Sequence, residues 1–129
     1  MARTTNPTEH APLPAGPYSQ HARVGSIVAT AGQVGETSDG SLLDGVAKQT
    51  AQALRNVIAV VEAAGATEQD IISVRVFLTD TEHFSEMNDV YATFFTKPRP
   101  ARTTVYVGLP AGLLVEIDAL AVIASSSDG

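Results

Sequence analysis

The sequence contains no cysteine among its 129 residues. Disulfides, thiolate metal sites, iron–sulfur clusters and cysteine nucleophiles are thereby excluded, and a reducing compartment is the expected setting. Basic residues are scarce as well: Lys+Arg 8 against Asp+Glu 14 leaves a net charge of -6. That balance repels phosphate backbones and anionic lipid heads, so neither nucleic acid nor membrane is an expected partner. The lysines are Lys48 and Lys97 alone, one on an expected helix and one in a proline-rich loop, which makes Schiff-base chemistry a poor fit. No apolar run approaches the roughly 20 residues of a membrane span. The N-terminus is polar and proline-containing instead of basic then apolar, so the expected location is cytoplasmic. The GxSxG, GxGxxG and P-loop patterns are absent. His10, His21 and His83 fall in an expected tail, strand and helix start without a second ligand at metal spacing, so surface roles and no metal are expected.

What is present suits one folded domain: 44% of residues are hydrophobic and 17% charged, and a chain of this size buries roughly two thirds of its unfolded surface. Residues 1–16 are rich in Thr, Pro and Ala and residues 125–129 are polar, so both read as tails flanking a domain over 17–124. Residues 18–31 read as two short strands around Gly25-Ser26, and the glycine-rich stretch 32–40 as a loop. Over 46–64, Val46, Thr50, Ala53, Leu54, Val57, Val60, Val61 and Ala64 recur at helical spacing, and Gly65 is placed to stop the helix. Residues 71–79 alternate as a strand, with Ile72, Val74, Val76 and Leu78 on one face. Thr81 is positioned to cap a second helix running to about Phe95, with Phe84, Met87, Asn88, Tyr91, Phe94 and Phe95 as its stripe. Residues 102–107 and 114–124 are further strands, and the turn at 108–112 has hairpin length.

The order β-β-α-β-α-β-β predicts an α+β domain with one mixed sheet and two helices on one face. Placing the purely apolar sets beneath the helices puts Thr103, Val105, Val107 and Val115, Ile117, Ala119, Ala121 there. The other face then carries Thr104, Tyr106, Leu120, Val122 and Phe77, too apolar a patch for solvent. A second copy of the chain is the simplest cover, which predicts a homo-oligomer packed through the open sheet face.

By the same parity Arg102 and Glu116 share that open face on neighbouring strands. Two readings stay open: a crevice in which a guanidinium binds an anion beside a carboxylate, or a structural cross-strand ion pair. Tyr18, after Gly16-Pro17, reads first as a packing residue that a rigid turn could also present to a ligand. Asn88 needs a hydrogen-bond partner if its helix face is buried.

Taken together, several spaced motifs carry a resemblance. Gly16-Pro17-Tyr18-Ser19-Gln20, Gly32-Gln33, Asn88 with Tyr91 and Phe94-Phe95, Pro100-Ala101-Arg102, Gly108-Leu109-Pro110 and Val115-Glu116-Ile117-Asp118-Ala119 resemble the reactive intermediate deaminase (Rid, YjgF-like) family over about residues 11–124. The resemblance implies a chorismate-mutase-like α+β protomer, assembled as a homotrimer whose sheets face a central barrel, with ligand pockets between subunits. It also implies hydrolysis of 2-imino acids and their enamine tautomers, of the 2-aminoacrylate and 2-iminopropionate type, to 2-keto acids and ammonia without a cofactor.

Within that resemblance, Arg102 matches the arginine that binds the substrate carboxylate and Glu116 the glutamate that positions water. Tyr18, Gly32, Asn88 and the Thr104 backbone match pocket positions. Many members carry cysteine where this chain has Thr104, so a role requiring a thiol is lost here while a backbone role survives. Fold does not settle function. A pathway-specific enamine or amide deaminase or hydrolase, and a non-catalytic trimeric small-carboxylate-binding protein, are the alternatives. RNA cleavage fits poorly with an acidic chain that has no basic stripe or catalytic histidine pair.

Overall fold

Apolar residues at three- and four-residue spacing build helix α1, Val46–Ala63. Leu54, Val57, Val60 and Val61 are completely buried, and Gly65 follows at φ +95°, the left-handed conformation that ends a helix without a Cβ clash. Its last carbonyls are captured from a distance: Asn6 Nδ2 donates to Ala63 O at 2.8 Å and Arg23 Nη1 to Ala64 O at 2.7 Å. The computed structural model describes residues 2–124.

Six strands form one mixed sheet: β1 His21–Val24, β2 Ile27–Thr30, β3 Gln33–Val34, β4 Ile71–Leu78, β5 Ala101–Tyr106 and β6 Val115–Val122. Their order is β1-β2-β6-β4-β5, with the short β3 also pairing β6. The expected loop 32–40 therefore contains a strand. Thr30 closes the gap between β2 and β3, where its hydroxyl accepts from Ala119 N at 3.0 Å and satisfies an amide the ladder leaves free. Helix α2 is shorter than expected, Phe84–Tyr91, and a single 3-10 turn, Thr81–His83, precedes it. Asp80, not Thr81, caps that turn, its carboxylate accepting from Glu82 N. The core joins α1, Met87, Tyr91 and Phe95 to the inner residues of β4 and β6.

The final two strands are not a hairpin, contrary to expectation. β4 lies between them, parallel to β5 and antiparallel to β6. The connecting segment arches over the end of β4: Val107 N donates to Leu78 O on one side, and Thr79 N to Leu114 O on the other. Pairing register corrects the faces too, because residues opposite one another in a ladder point the same way. Val74 opposes Arg102 and Val76 opposes Thr104, and both valines are completely buried. Arg102, Thr104 and Tyr106 therefore belong to the helix side, while Thr103 and Val105 face outward. Parity by hydrophobicity fails on β5 because it is an edge strand without one buried residue. On β6 it holds, with Val115, Ile117, Ala119 and Ala121 inward.

In β4 the register shifts between Ile71 and Ser73, so Ile71 is buried and Ile72 is 50% exposed, not a member of the inner set. The open face then carries Ile27, Val105, Leu120 and Val122, all exposed, around Arg75, whose Nε and Nη2 donate to both oxygens of Asp118. Thr104 and Tyr106 are not part of it. The N-terminal segment is docked and is no loose tail. Thr4 exchanges two backbone hydrogen bonds with Arg23 at 2.9 Å, and Ala11 is buried. Buried Gln20 accepts from Thr8 N and donates to the carbonyls of Thr8, Ala11 and Pro12, supplying in hydrogen bonds what the segment lacks in apolar area. The tail expected over 125–129 lies outside the described residues.

Candidate functional site

Arg102 enters the helix side from β5 and lies against α2. Its guanidinium carbon stands 4.6 Å from the Tyr91 ring centroid and 5.7 Å from that of Phe84, within cation–π range of both. Tyr91 is held from behind by Phe95, ring centroids 5.0 Å apart at 44°. No hydrogen bond or salt bridge from the Arg102 side chain occurs among the described residues, so the rings fix the cation while its N–H donors stay uncommitted. Asn88, Tyr91, Ala92, Arg99, Pro100 and Arg102 line a cavity of about 370 Å³. Burial pushes the Tyr91 hydroxyl's pKa up, against the opposing pull of Arg102 and Arg99.

Glu116 lies on the other side of the sheet. Phe77 opposes it on β4 and Val34 on β3, an odd number of residues from the Val74–Arg102 pair along β4, and side chains alternate in strands. A larger cavity of about 790 Å³ brings Glu116 together with Tyr18, Gly32, Thr30 and Arg3. Tyr18 is 54% exposed and its hydroxyl oxygen accepts from Ala15 N at 3.3 Å, so it presents its ring to solvent and is not a packing residue. Gly32 gives the carboxylate its room: a Cβ there would sit 2.8 Å from the Glu116 carboxyl carbon. Burial, and next the negative charge of Asp118, push the Glu116 carboxyl above the ordinary glutamate range.

The structure thus gathers the sequence's candidates into two groups, Arg102 with Asn88 and Glu116 with Tyr18 and Gly32, and does not bring the two groups together within one chain. The cross-strand Arg102–Glu116 ion pair is not formed. Thr104 lies on the helix side with Arg102, its hydroxyl buried without a partner among the described residues. The clamp of Phe84 and Tyr91 and the second arginine, Arg99, escaped the sequence. The only signal was aromatic spacing on α2, which reads equally well as core.

The histidines correct one expectation: His21 is buried, accepts from Asn6 N through Nε2 at 3.2 Å, and is held below the usual histidine pKa by burial and by Arg23. It serves the docking of the N-terminal segment. No cluster of three or more potential metal ligands occurs among the described residues, and none of their helices is long and apolar enough to cross a membrane.

Comparison with known proteins places these features in company. The profile of a family described as endoribonuclease L-PSP matches residues 8–123. A RutC family protein of Pyrococcus horikoshii is 44% identical over 121 residues, covering 88% of this chain and 93% of its own. A 2-iminobutanoate/2-iminopropanoate deaminase of Salmonella typhimurium is 42% identical over 120 residues, covering 89% and 94%. Among solved structures, Escherichia coli TdcF with bound serine superposes with a TM-score of 0.89 at 38% identity, covering 94% of this chain and 99% of that one.

Proposed function

The chain belongs to the endoribonuclease L-PSP family, the YjgF/RutC/Rid group, and on that premise we propose that it is a cofactor-independent deaminase of 2-imino acids. One observation carries the reading: the Arg102 guanidinium is seated on Tyr91 and Phe84 with its hydrogen-bonding edge unspent. A planar carboxylate is the natural partner of that fork. Serine, bound to the similar TdcF chain, carries the same group.

With the substrate carboxylate on Arg102, the imine carbon is fixed in orientation and water held at that carbon adds in what is effectively a unimolecular step. Glu116, its carboxyl poised above the usual range, takes a proton from that water as the C–O bond forms. Glu116 returns that proton to the nitrogen, giving a carbinolamine; as the carbon–nitrogen bond breaks, the hydroxyl's remaining proton also passes to the nitrogen, so ammonia leaves and the oxygen remains as the carbonyl of a 2-keto acid. Asn88 lines the Arg102 cavity, and Tyr18 and Gly32 the Glu116 cavity; the Thr104 backbone, two residues along β5 on the same face as Arg102, is assigned to the Arg102 side.

Arg102 and Glu116 lie on opposite faces of one sheet, so the complete site joins the Arg102 pocket of one copy to the Glu116 cavity of another. The assembly is a homotrimer, with the exposed apolar residues Ile27, Val105, Leu120 and Val122 supplying contact area on the open face. RNA cleavage gains nothing from this arrangement: the net charge is -6 and His21 is buried.

The test generates 2-iminobutyrate in situ with an amino-acid oxidase and traps it with semicarbazide. The wild-type protein is expected to suppress the trapped product. Arg102→Ala loses at least about a hundredfold in kcat/KM, roughly 3 kcal/mol, and Arg102→Lys recovers little of it because an ammonium cannot reproduce the fork. Unchanged turnover in Arg102→Ala removes the carboxylate clamp. Binding of 2-oxobutyrate without turnover by the wild type replaces the enzyme with a carboxylate-binding protein.

A further inference from the structure

The cavity beside Arg102 contains a second guanidinium. Lys97, Arg99 and Arg102 put three of the chain's 8 basic residues into six successive positions, against a net charge of -6. Arg99 and Arg102 line the same cavity of about 370 Å³, and its other lining residues, Asn88, Tyr91, Ala92 and Pro100, carry no negative charge. Neither arginine has a carboxylate partner among the described residues, where the salt bridge belongs to Arg75 and Asp118. Arg99 is exposed and tethered by one long hydrogen bond, Nη2 to Ala92 O at 3.4 Å. The fields of both reach Tyr91, each favouring its ionised form against burial.

Within one chain the two cations facing this cavity have no carboxylate beside them and repel each other, and an anion relieves that repulsion most when it carries two separated negative groups. We propose that this pocket selects a dicarboxylate: a 2-imino acid whose side chain ends in a second carboxylate, with the 2-keto dicarboxylate as product. Arg102 takes the carboxylate next to the reacting carbon, and Arg99 takes the distal one. The identity of the reacting group rests on the deaminase reading; the preference for two carboxylates rests on the paired arginines. In the hydrolysis the distal carboxylate forms and breaks no bond, and Arg99 acts on binding alone.

Calorimetry with 2-oxoglutarate, 2-oxobutyrate and inorganic phosphate tests the site apart from turnover, and kcat/KM for 2-iminoglutarate and 2-iminobutyrate, each made in situ by an oxidase, tests it during turnover. The wild type is expected to bind 2-oxoglutarate at least tenfold tighter than 2-oxobutyrate. Arg99→Gln shrinks that ratio toward one, and Arg99→Lys keeps part of it. The ratio of the two kcat/KM values follows the same order. Equal binding of the two keto acids overturns the inference, as does a ratio that Arg99→Gln leaves intact. Phosphate binding as tightly as 2-oxoglutarate also overturns it, since a compact anion would then be the ligand. Hydrolysis of both imines without preference fails the inference and keeps the deaminase. A preserved dicarboxylate preference with neither imine hydrolysed fails the deaminase and keeps the dicarboxylate site.

Discussion

Glu116 owes its raised pKa first to burial and second to Asp118 on the same face of the same strand. In the proposed mechanism the ionised form accepts the proton from water, so turnover is expected to fall as pH drops through that pKa and the carboxylate is lost. Asp118→Asn removes the repelling charge and releases Arg75, and both changes favour the Glu116 carboxylate. The acidic limb of the kcat/KM profile is therefore expected to move to lower pH in Asp118→Asn; a limb that stays in place or rises excludes Glu116 as the titrating group. Gly32 acts on the same residue through space. Gly32→Ala sets a methyl group 2.8 Å from the Glu116 carboxyl carbon. That carboxyl ends a flexible side chain, so the protein still folds while the carboxylate moves aside. A displacement of that size costs kcat on the order of a hundredfold with little change in melting temperature, which turnover and thermal unfolding measured together would check.

Among the elements, α1 does more than cover the sheet. Gln49 Nε2 donates to Leu43 O and Gly112 O, each at 3.0 Å, and its Oε1 accepts from Leu114 N at 2.9 Å. One buried side chain thereby ties the helix to the loop after β3 and to the segment entering β6, the strand that carries Glu116. Gly35 lets that loop approach: a Cβ there would lie 2.5 Å from Gln49 Cα. Gln49→Leu retains the volume but strands two carbonyls and an amide. A loss of about 2 kcal/mol or more is expected, read as a lower urea midpoint at unchanged m-value.

At the scale of the whole molecule, the sheet itself separates Arg102 from Glu116, and a second copy is the proposed means of joining them. Arg102→Ala and Glu116→Gln would each be inactive alone. Refolded together as an equal mixture, they are expected to regain about a quarter of wild-type turnover, because one subunit junction in four pairs an intact Arg102 pocket with an intact Glu116 cavity. A mixture as inactive as its components places both residues of each site in one chain.

Residue pattern alone was enough to read the kind of fold, the limits of α1 and the inward face of β6, because helical and strand periodicity are written in neighbouring residues. It could not determine strand order. The hairpin-length turn at 108–112 suggested β5 beside β6, whereas β4 separates them. Adjacency in a sheet follows from how the crossover through α2 packs, and an edge strand half covered by a short helix need not bury its apolar side. The register of that edge strand against β4, with Arg102 opposite buried Val74, put Arg102 on the opposite face from Glu116 and seated it on Tyr91 and Phe84. The N-terminal segment makes the same point: its poor apolar content read as a tail, but Gln20, Arg23 and Asn6 hold it through hydrogen bonds to distant partners. Such contacts arise only when the closed fold brings distant segments within hydrogen-bonding reach.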